Sequence, residues 1–289
     1  MPLVRSETLH TDEVALAVHH WGGTGRIPVL LAHPTGFHGL VWAPVADRLV
    51  SLGYRVWSFD FRGHGDSGRS ANGYHWQNFA RDVGAVTRHL GLDGDPRLLS
   101  AGHSKGGTAL LLDEADHPGT YARLWCYEPI MFPSDDPLPP DFENPLSRSA
   151  RRRRATWPTK DGAERNFASK PPLDALDADA LHAYVDHGFR PSEQGGFELK
   201  CTPDDEAEIY AMGLSNGAFA RLADVIPPTV VACGEHSDAI TPAFGRVIAG
   251  ALPNGTLEVF AGLGHFGPMQ DPARVAASVV AFERKTRVG

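Results

Sequence analysis

Short apolar runs alternate with segments of helical periodicity in this sequence, and that alternation constrains the fold more than any other feature. In the first half the predicted strands include Pro28–His33, Arg55–Asp60 and Leu98–His103, and helical patterns cover Val41–Leu52 and Gln77–Leu90. Pro28–His33 is a continuous apolar run, which is typical of a strand buried on both faces. Strands that alternate with helices predict a mostly parallel, twisted sheet with helices on both faces.

The same alternation resumes near the C-terminus. The predicted elements there are the strand Thr229–Cys233, the helix Pro242–Leu252, the strand Thr256–Phe260 and the helix Pro272–Arg284. Residues 131–215 interrupt it, because they are rich in Pro, Asp and Arg and contain no convincing buried strand. We therefore expect a core of residues 1–130 and 216–289, with 131–215 inserted after the sixth strand as a helical cap, or lid. The helical patterns of this insertion cover Pro145–Ala155, Ala178–Asp186 and Asp204–Met212.

Composition excludes several classes of protein. The chain has 289 residues, 42% of them hydrophobic, which allows one large domain or one domain with an insertion. A net charge of −8 argues against nucleic acid as a partner. No apolar stretch is long enough for stable membrane insertion, and the N-terminus lacks the pattern of a signal peptide. Three widely spaced cysteines (Cys126, Cys201, Cys233) argue against a disulfide framework, so we expect a cytoplasmic protein. The sequence does not distinguish a monomer from a homodimer.

Residues 101–107 read AGHSKGG and follow an apolar run directly. The pattern G-x-S-x-G is typical of a serine on a sharp turn between a strand and a helix, where Gly102 and Gly106 leave room for the close approach. Such a turn holds the Ser104 hydroxyl above the sheet, and the N–H of Lys105 at the start of the helix can face a developing oxyanion. The alternative interpretation is a strand–helix turn that merely contains small residues.

A serine hydroxyl becomes a nucleophile when a neighbouring base removes its proton. Of the 14 histidines, His265 has the most suitable place, because it lies in the loop AGLGHFGP between the last strand and the last helix. Asp238, in GEHSDAITP after the preceding strand, is the favoured carboxylate to orient that imidazole. Glu128, which follows the predicted strand Leu124–Tyr127, is the alternative.

These residues make the chain resemble the α/β-hydrolase-fold serine hydrolases of the lidded esterase and lipase type. Four motifs carry the resemblance over residues 8–130 and 216–286: HPTGFHG (33–39), DFRGHGDSG (60–68), GHSKGG (102–107), and GEHSD paired with GLGHF. The resemblance implies an α/β-hydrolase fold and a catalytic order Ser, Asp, His along the chain. It also implies that Thr35, which follows His33-Pro34, supplies the second oxyanion N–H; Pro34 replaces the usual glycine.

Lys105 departs from the uncharged residue that this family usually carries. Its side chain could extend to solvent, pair with Glu128 at the wall of the pocket, or attract an acidic group of the substrate. Phe37 and Phe266 are the aromatic residues expected to approach the substrate. The basic run Arg151–Arg154 is expected to lie on a solvated helix, pairing with acidic neighbours such as Asp174, Asp177 and Asp179.

The sequence thus predicts a cofactor-independent and metal-free serine hydrolase that cleaves a small or medium ester, lactone or thioester. Two alternatives keep Ser104, Asp238 and His265 but change the bond: carbon–carbon hydrolysis, and cofactor-free perhydrolysis or haloperoxidation. An alternative of another class is a receptor-like binding protein that holds its ligand in the same pocket with little turnover.

Overall fold

The computed structural model describes residues 4–71, 73–133, 142–214 and 216–287. Its main sheet has eight strands in the order β1-β2-β4-β3-β5-β6-β10-β11. In chain order these are β1 (Arg5–His10), β2 (Ala15–Gly22), β3 (Pro28–Ala32), β4 (Arg55–Phe59), β5 (Leu99–His103), β6 (Arg123–Tyr127), β10 (Thr229–Gly234) and β11 (Gly255–Phe260). The hairpin of β1 and β2 is antiparallel and pairs antiparallel with β4, whereas every pair from β4 to β11 is parallel.

Two hydrophobic layers cover the sheet because successive strand residues face opposite sides. Helices α1 (Ala43–Ser51) and α10 (Pro272–Thr286) pack on the face that carries Val29, Leu31 and Trp125. Helices α2 (Trp76–His89), α3 (Lys105–Asp116) and α8 (Pro242–Ala251) pack on the face that carries Leu30, Leu124 and Val231. Strands β3, β5 and β6 are buried along their whole length, and burial on both faces explains the continuous apolar run of β3.

The insertion between β6 and β10 is mixed, not purely helical. Its helices are α4 (Pro145–Arg151), α5 (Lys160–Phe167), α6 (Ala178–Gly188) and α7 (Pro203–Ala211), with a short 3-10 turn at Leu173–Ala175; a second such turn, Phe219–Asp224, follows the insertion. It also contains three short strands, β7 (Thr156–Trp157), β8 (Phe189–Pro191) and β9 (Phe197–Leu199), which form an antiparallel sheet in the order β7-β9-β8. The segment was expected to be helical without a buried strand; these strands are only partly buried and, with two or three residues each, are too short to show a periodicity.

Local capping explains where the helices of the insertion begin. The Asn144 side chain accepts a hydrogen bond from the N–H of Leu146 at the start of α4. The side chains of Asp177 and Thr202 cap α6 and α7 in the same way. Helix α5 was not predicted, and neither was β1, whose residues lie at the exposed edge of the sheet.

The cap rests on the edge of the sheet where the parallel strands end. Helix α6 packs on the short 3-10 helix Gly39–Trp42 and on α1. The imidazole Nε2 of His38 lies 3.1 Å from the carbonyl oxygen of Tyr184 in α6. Cys126, Cys201 and Cys233 are free and buried. No helix in the parts of the chain that the structure describes is long and apolar enough to cross a bilayer.

The turn between β5 and α3 depends on two glycines. A Cβ at Gly102 would lie 2.5 Å from the backbone nitrogen of Gly107, and a Cβ at Gly106 would lie 2.6 Å from the carbonyl carbon of Ala32 in β3. Both contacts are with backbone, which cannot rotate away. The close approach of α3 to β3 therefore requires glycine at position 106.

We predict that Gly106→Ala lowers the free energy of unfolding by about 1–3 kcal/mol, because the added methyl must push α3 away from β3. Gly250→Ala is the matched control: Gly250 is in α8 and a Cβ there meets nothing within 4 Å. That change should stabilise the protein by about 0.5–1 kcal/mol, the helix preference for alanine. Denaturant unfolding of both variants measures the difference; equal effects would show that position 106 tolerates a side chain.

Candidate active site

Ser104 occupies the bend between β5 and α3 in a strained backbone conformation. Its φ is 53° and its ψ is −119°, a region that few residues other than glycine adopt. The strain is held in place because the N–H of Ser104 donates to the carbonyl oxygen of Tyr127 at 2.8 Å, and its own carbonyl accepts from the N–H of Thr108 at 3.1 Å. The side chain is 6% exposed. The sequence thus places a fixed hydroxyl at the end of the sheet.

His265 lies in the loop between β11 and the short helix α9 (Gly267–Gln270). Its ring centroid is 4.9 Å from that of His103, the residue before Ser104, which places the imidazole beside the bend. A hydrogen bond to β6 fixes this loop, because the Tyr127 hydroxyl donates to the carbonyl oxygen of Gly264 at 2.8 Å. The imidazole Nδ1 of His265 lies 2.6 Å from Oε2 of Glu128.

Glu128 is the carboxylate that the structure brings to His265. It follows β6 directly, with a φ of 46°, and its side chain has no exposed surface. Its Oε1 accepts from the N–H of Gly234 at 2.9 Å, and its Oε2 also accepts from the Ser237 hydroxyl at 2.6 Å. Three donors therefore hold this buried carboxylate in one orientation, which is the arrangement that fixes the tautomer and the direction of an imidazole.

The preference for Asp238 is corrected by this geometry. Asp238 is exposed, and within the described residues no hydrogen bond joins it to His265. Its neighbour Ser237 turns inward and donates to Glu128 instead. The reason is the strand order: β6 lies between β5 and β10, so a glutamate directly after β6 reaches the imidazole across the end of β10.

One ring nitrogen of His265 is left for the nucleophile. Because Nδ1 faces Glu128, only Nε2 can accept a proton from Ser104. The hydrogen bonds among the described residues do not include one between that nitrogen and the Ser104 hydroxyl. Such bonds are often long in unliganded enzymes and shorten when substrate binds.

Two backbone N–H groups near Ser104 lack acceptors within the described chain. Lys105 is the first residue of α3, so its N–H has no partner inside the helix. The N–H of Thr35, in the loop after β3, is also without a hydrogen-bond acceptor among those residues. The next N–H in that loop, from Gly36, donates to Nε2 of His64 at 3.1 Å, which fixes the loop. Both N–H groups are therefore available to an oxyanion.

The Lys105 side chain follows neither of two expected courses, extension to solvent and pairing with Glu128; the third, attraction of an acidic substrate group, stays a prediction. It is 1% exposed and so does not extend to solvent. It makes no ion pair with Glu128 and instead lies between the rings of Phe61, Phe79 and His64. Burial lowers the pKa of Lys105 to about 7.

Aromatic side chains form one wall beside the site. The ring of Phe37 lies 5.5 Å from that of Phe266 and 4.8 Å from that of Tyr184 in α6 of the cap. The structure thus brings together the two phenylalanines expected near the substrate. Glu128 does not belong to this wall, because it is completely buried behind His265. Tyr184 was missed, since nothing in the sequence of the insertion sets the direction in which α6 faces the core.

One arginine of the basic run turns toward the site. Arg151, Arg152 and Arg154 are exposed, as expected, but α4 ends at Arg151, so the run does not lie on one helix. Arg153 pairs with Glu206 and donates to the Tyr184 hydroxyl at 2.7 Å. Arg151 pairs with Asp204 at 3.6 Å. These partners belong to α7, so the predicted pairing with Asp174, Asp177 and Asp179 is wrong.

Buried histidines surround the site. Burial lowers the pKa of His33, His64 and His103 well below the usual range, and lowers that of His38 to about 4. All four rings are therefore neutral near pH 7. Within the described residues, no group of three or more His, Cys, Asp or Glu side chains is placed to hold a metal ion.

Comparison with known proteins places the chain in a family. A sequence profile of the alpha/beta hydrolase family matches residues 29–278. This is most of the chain, and the protein belongs to the alpha/beta hydrolase family. The predicted fold class is thereby confirmed.

The relatives include enzymes of two named activities. A non-heme chloroperoxidase of Kitasatospora aureofaciens is 29% identical over 264 residues, 88% of this chain and 90% of that protein. A bifunctional esterase/perhydrolase of Acinetobacter calcoaceticus is 29% identical over 107 residues, 37% of this chain and 38% of that protein. The solved structure of E-2-(acetamidomethylene)succinate hydrolase has a TM-score of 0.80 at 21% identity, covering 97% of this chain and 99% of that one, which shows the shared fold.

We predict that the protein loses stability as the pH falls from about 6.5 to about 4, because the unfolded chain protonates its histidines before the folded chain can. His38→Gln removes one such group and keeps an N–H to donate to Tyr184. When the pH is lowered from 7.5 to 5.5, the free energy of unfolding should decrease in both proteins. The decrease in this variant should be smaller than that in the wild type by about 1.4 kcal/mol. His182→Gln, an exposed position, should match the wild type. Denaturant unfolding at both pH values tests this, and identical losses in all three proteins would contradict it.

Proposed function

We propose that the protein is a cofactor-independent serine hydrolase that cleaves a small or medium carboxylic ester, lactone or thioester. The observation that carries the proposal is the contact of 2.6 Å between the buried Glu128 carboxylate and Nδ1 of His265, beside a serine held at a φ of 53°. Nothing in a merely structural turn requires a strained serine and an oriented imidazole at the same edge of the sheet.

In the proposed reaction the Ser104 oxygen attacks the carbonyl carbon while Nε2 of His265 takes its proton. Glu128, in the place first given to Asp238, keeps the proton on Nδ1 and stabilises the imidazolium. The N–H groups of Thr35 and Lys105 donate to the oxyanion of the tetrahedral intermediate. The imidazolium then protonates the leaving alcohol or thiol, and an acyl-enzyme remains on Ser104.

Water completes the cycle, since His265 can remove its proton as it attacks the acyl carbon. The aromatic wall of Phe37, Phe266 and Tyr184 supports an apolar part of the substrate next to the scissile bond. The same wall shields the intermediate from bulk water, which strengthens each hydrogen bond to it.

A second candidate reaction is perhydrolysis, in which hydrogen peroxide replaces water in the attack on the acyl-enzyme and releases a peracid. Two relatives favour it, because one is named a chloroperoxidase and another a bifunctional esterase/perhydrolase. The first half of the reaction is the same, so one assay of acyl transfer in the presence of water or peroxide separates the two outcomes.

We predict that a fluorophosphonate probe labels the wild-type protein once, on Ser104, and that Ser104→Ala abolishes both labelling and the hydrolysis of chromogenic esters, lactones and thioesters. The reason is that only a deprotonated hydroxyl attacks phosphorus. Ser149→Ala, at an exposed serine in α4 outside the site, is the control and should still be labelled. A folded wild-type protein that binds ligands but is not labelled would support the receptor-like alternative instead.

We predict that Glu128→Gln lowers kcat by about 10³-fold or more, since the amide no longer favours the imidazolium or the correct tautomer. Asp238→Asn is the matched control, with the same change of charge in the neighbouring loop, and should leave kcat within about twofold, because this side chain is exposed and outside the site. Steady-state kinetics with one chromogenic ester compares them. The reverse ranking of the two variants would restore Asp238 as the orienting acid.

A further inference from the structure

The Lys105 ammonium is enclosed by three rings close to the proposed oxyanion donors. Nζ lies 4.4 Å from the ring centre of Phe61, in the loop after β4, and 4.6 Å from that of Phe79 in α2. A cation at this distance from an aromatic face is attracted by the electron density of the ring. The side chain therefore has a defined, apolar location, unlike a lysine at the surface.

His64 forms the third side of this cage. Nζ lies 3.3 Å from Nδ1 and 3.2 Å from Nε2 of the ring. Such equal distances place the ammonium against the face of the imidazole, because a position in its plane would overlap the carbon between the two nitrogens. Both nitrogens are already engaged, Nε2 by the N–H of Gly36 and Nδ1 by the carbonyl oxygen of Arg62 at 2.9 Å. We refer to Phe61, Phe79 and His64 as the lysine cage.

No carboxylate neutralises the ammonium. Within the described residues no Asp or Glu oxygen lies within 4.0 Å of Nζ. Asp60 and Asp82 attract it from farther away. Asp82 is engaged by Arg62 at 2.7 Å, and Asp60 accepts from the N–H groups of Gly39 and Asp66. A buried charge without a paired counter-ion is costly, and an anion that forms on the substrate would offset that cost.

We propose that the Lys105 ammonium, held by the lysine cage, is the counter-charge of the oxyanion that forms on the substrate. This inference rests on the proposed function and deepens it. The same residue supplies the backbone N–H and the ammonium, so the two positive groups lie within the length of one lysine side chain. In a buried site the attraction between the ammonium and an oxyanion is far stronger than in water.

The cage also connects the two halves of the proposed oxyanion hole. Lys105 begins α3 and supplies one N–H, while His64 accepts from the N–H of Gly36, next to Thr35, which supplies the other. The contact of Nζ with the His64 ring therefore fixes the spacing of the two donors as well as the position of the charge.

The pH dependence follows from the groups that face Nζ. His33 and His64 are neutral near pH 7, and burial raises the pKa of the Cys201 thiol, so none of the three carries charge there. The charged neighbours are Asp60 and Asp82. Burial lowers the pKa of Lys105 to about 7, so the ammonium is fully present below that pH and is lost above it. A developing oxyanion raises this pKa, because it favours the charged amine.

The first test compares Lys105→Met with the wild type. Methionine keeps the apolar stem and removes the charge, and we expect kcat to fall by about tenfold to a hundredfold at pH 6, with KM within about twofold. The deficit should shrink as the pH rises and vanish near pH 9, where the wild-type amine is also neutral. Leu110→Met, a buried position in the same helix, is the control and should keep the wild-type profile.

The second test needs no turnover. A boronic acid adds to a serine hydroxyl as a tetrahedral anion, so we expect it to raise the pKa of Lys105, followed by NMR of ¹³C-labelled lysine, by at least about one unit. Its affinity should fall in Lys105→Met by the same factor as kcat. If Lys105→Met does not fold, Phe79→Leu is tested instead. Loss of one ring should lower the pKa of Lys105, so the fall in activity at high pH should begin at a lower pH.

The outcomes separate the two proposals. If the wild type is not labelled by a fluorophosphonate, the proposed function fails and this inference fails with it. If the wild type is active but Lys105→Met keeps its kcat and pH profile, the ammonium only fills space and this inference alone is overturned. An unchanged affinity for the boronic acid in Lys105→Met would overturn it as well.

Discussion

The candidate site depends on the parallel pairing of β5, β6 and β10. Because these strands run side by side in the same direction, Ser104 after β5, Glu128 after β6 and Gly234 at the end of β10 meet at one edge of the sheet. The N–H of Glu128 donates to the carbonyl oxygen of Ala232, and the N–H of Ser104 donates to that of Tyr127. These backbone hydrogen bonds therefore set the distance between the residues that carry the hydroxyl and the carboxylate, whatever the rotamers of their side chains.

A carboxylate and a lysine amine lie buried near Ser104. The Glu128 carboxylate is behind His265, where three hydrogen-bond donors stabilise it. The Lys105 ammonium is in the lysine cage, where aromatic faces take the place of an anion. The proposed reaction would form an imidazolium next to the carboxylate and an oxyanion on the side of the ammonium. Each new charge would then be stabilised by an opposite charge that is already present. The site is in that sense prepared for charge separation.

Much of the core could be read from the sequence, because strands buried on both faces give continuous apolar runs and the bend at Ser104 has a distinctive glycine pattern. The carboxylate that orients His265 could not be identified from the sequence, because Asp238 and Glu128 both follow strands that end at the same edge. Only the rotation of the loop, which directs Ser237 inward and Asp238 outward, decides between them. The cap was the least predictable region, because its strands have only two or three residues each.

The position of Glu128 in the chain has a consequence for how such a protein can change. Ser104 and Glu128 precede the cap in the sequence, and His265 follows it. The cap therefore separates the base from its two partners along the chain, but it does not lie between them in the fold. The entropy of closing a loop grows only logarithmically with its length. The cap can therefore be lengthened, shortened or exchanged during evolution, which would change the choice of substrate. The pairing of the strands would still position His265.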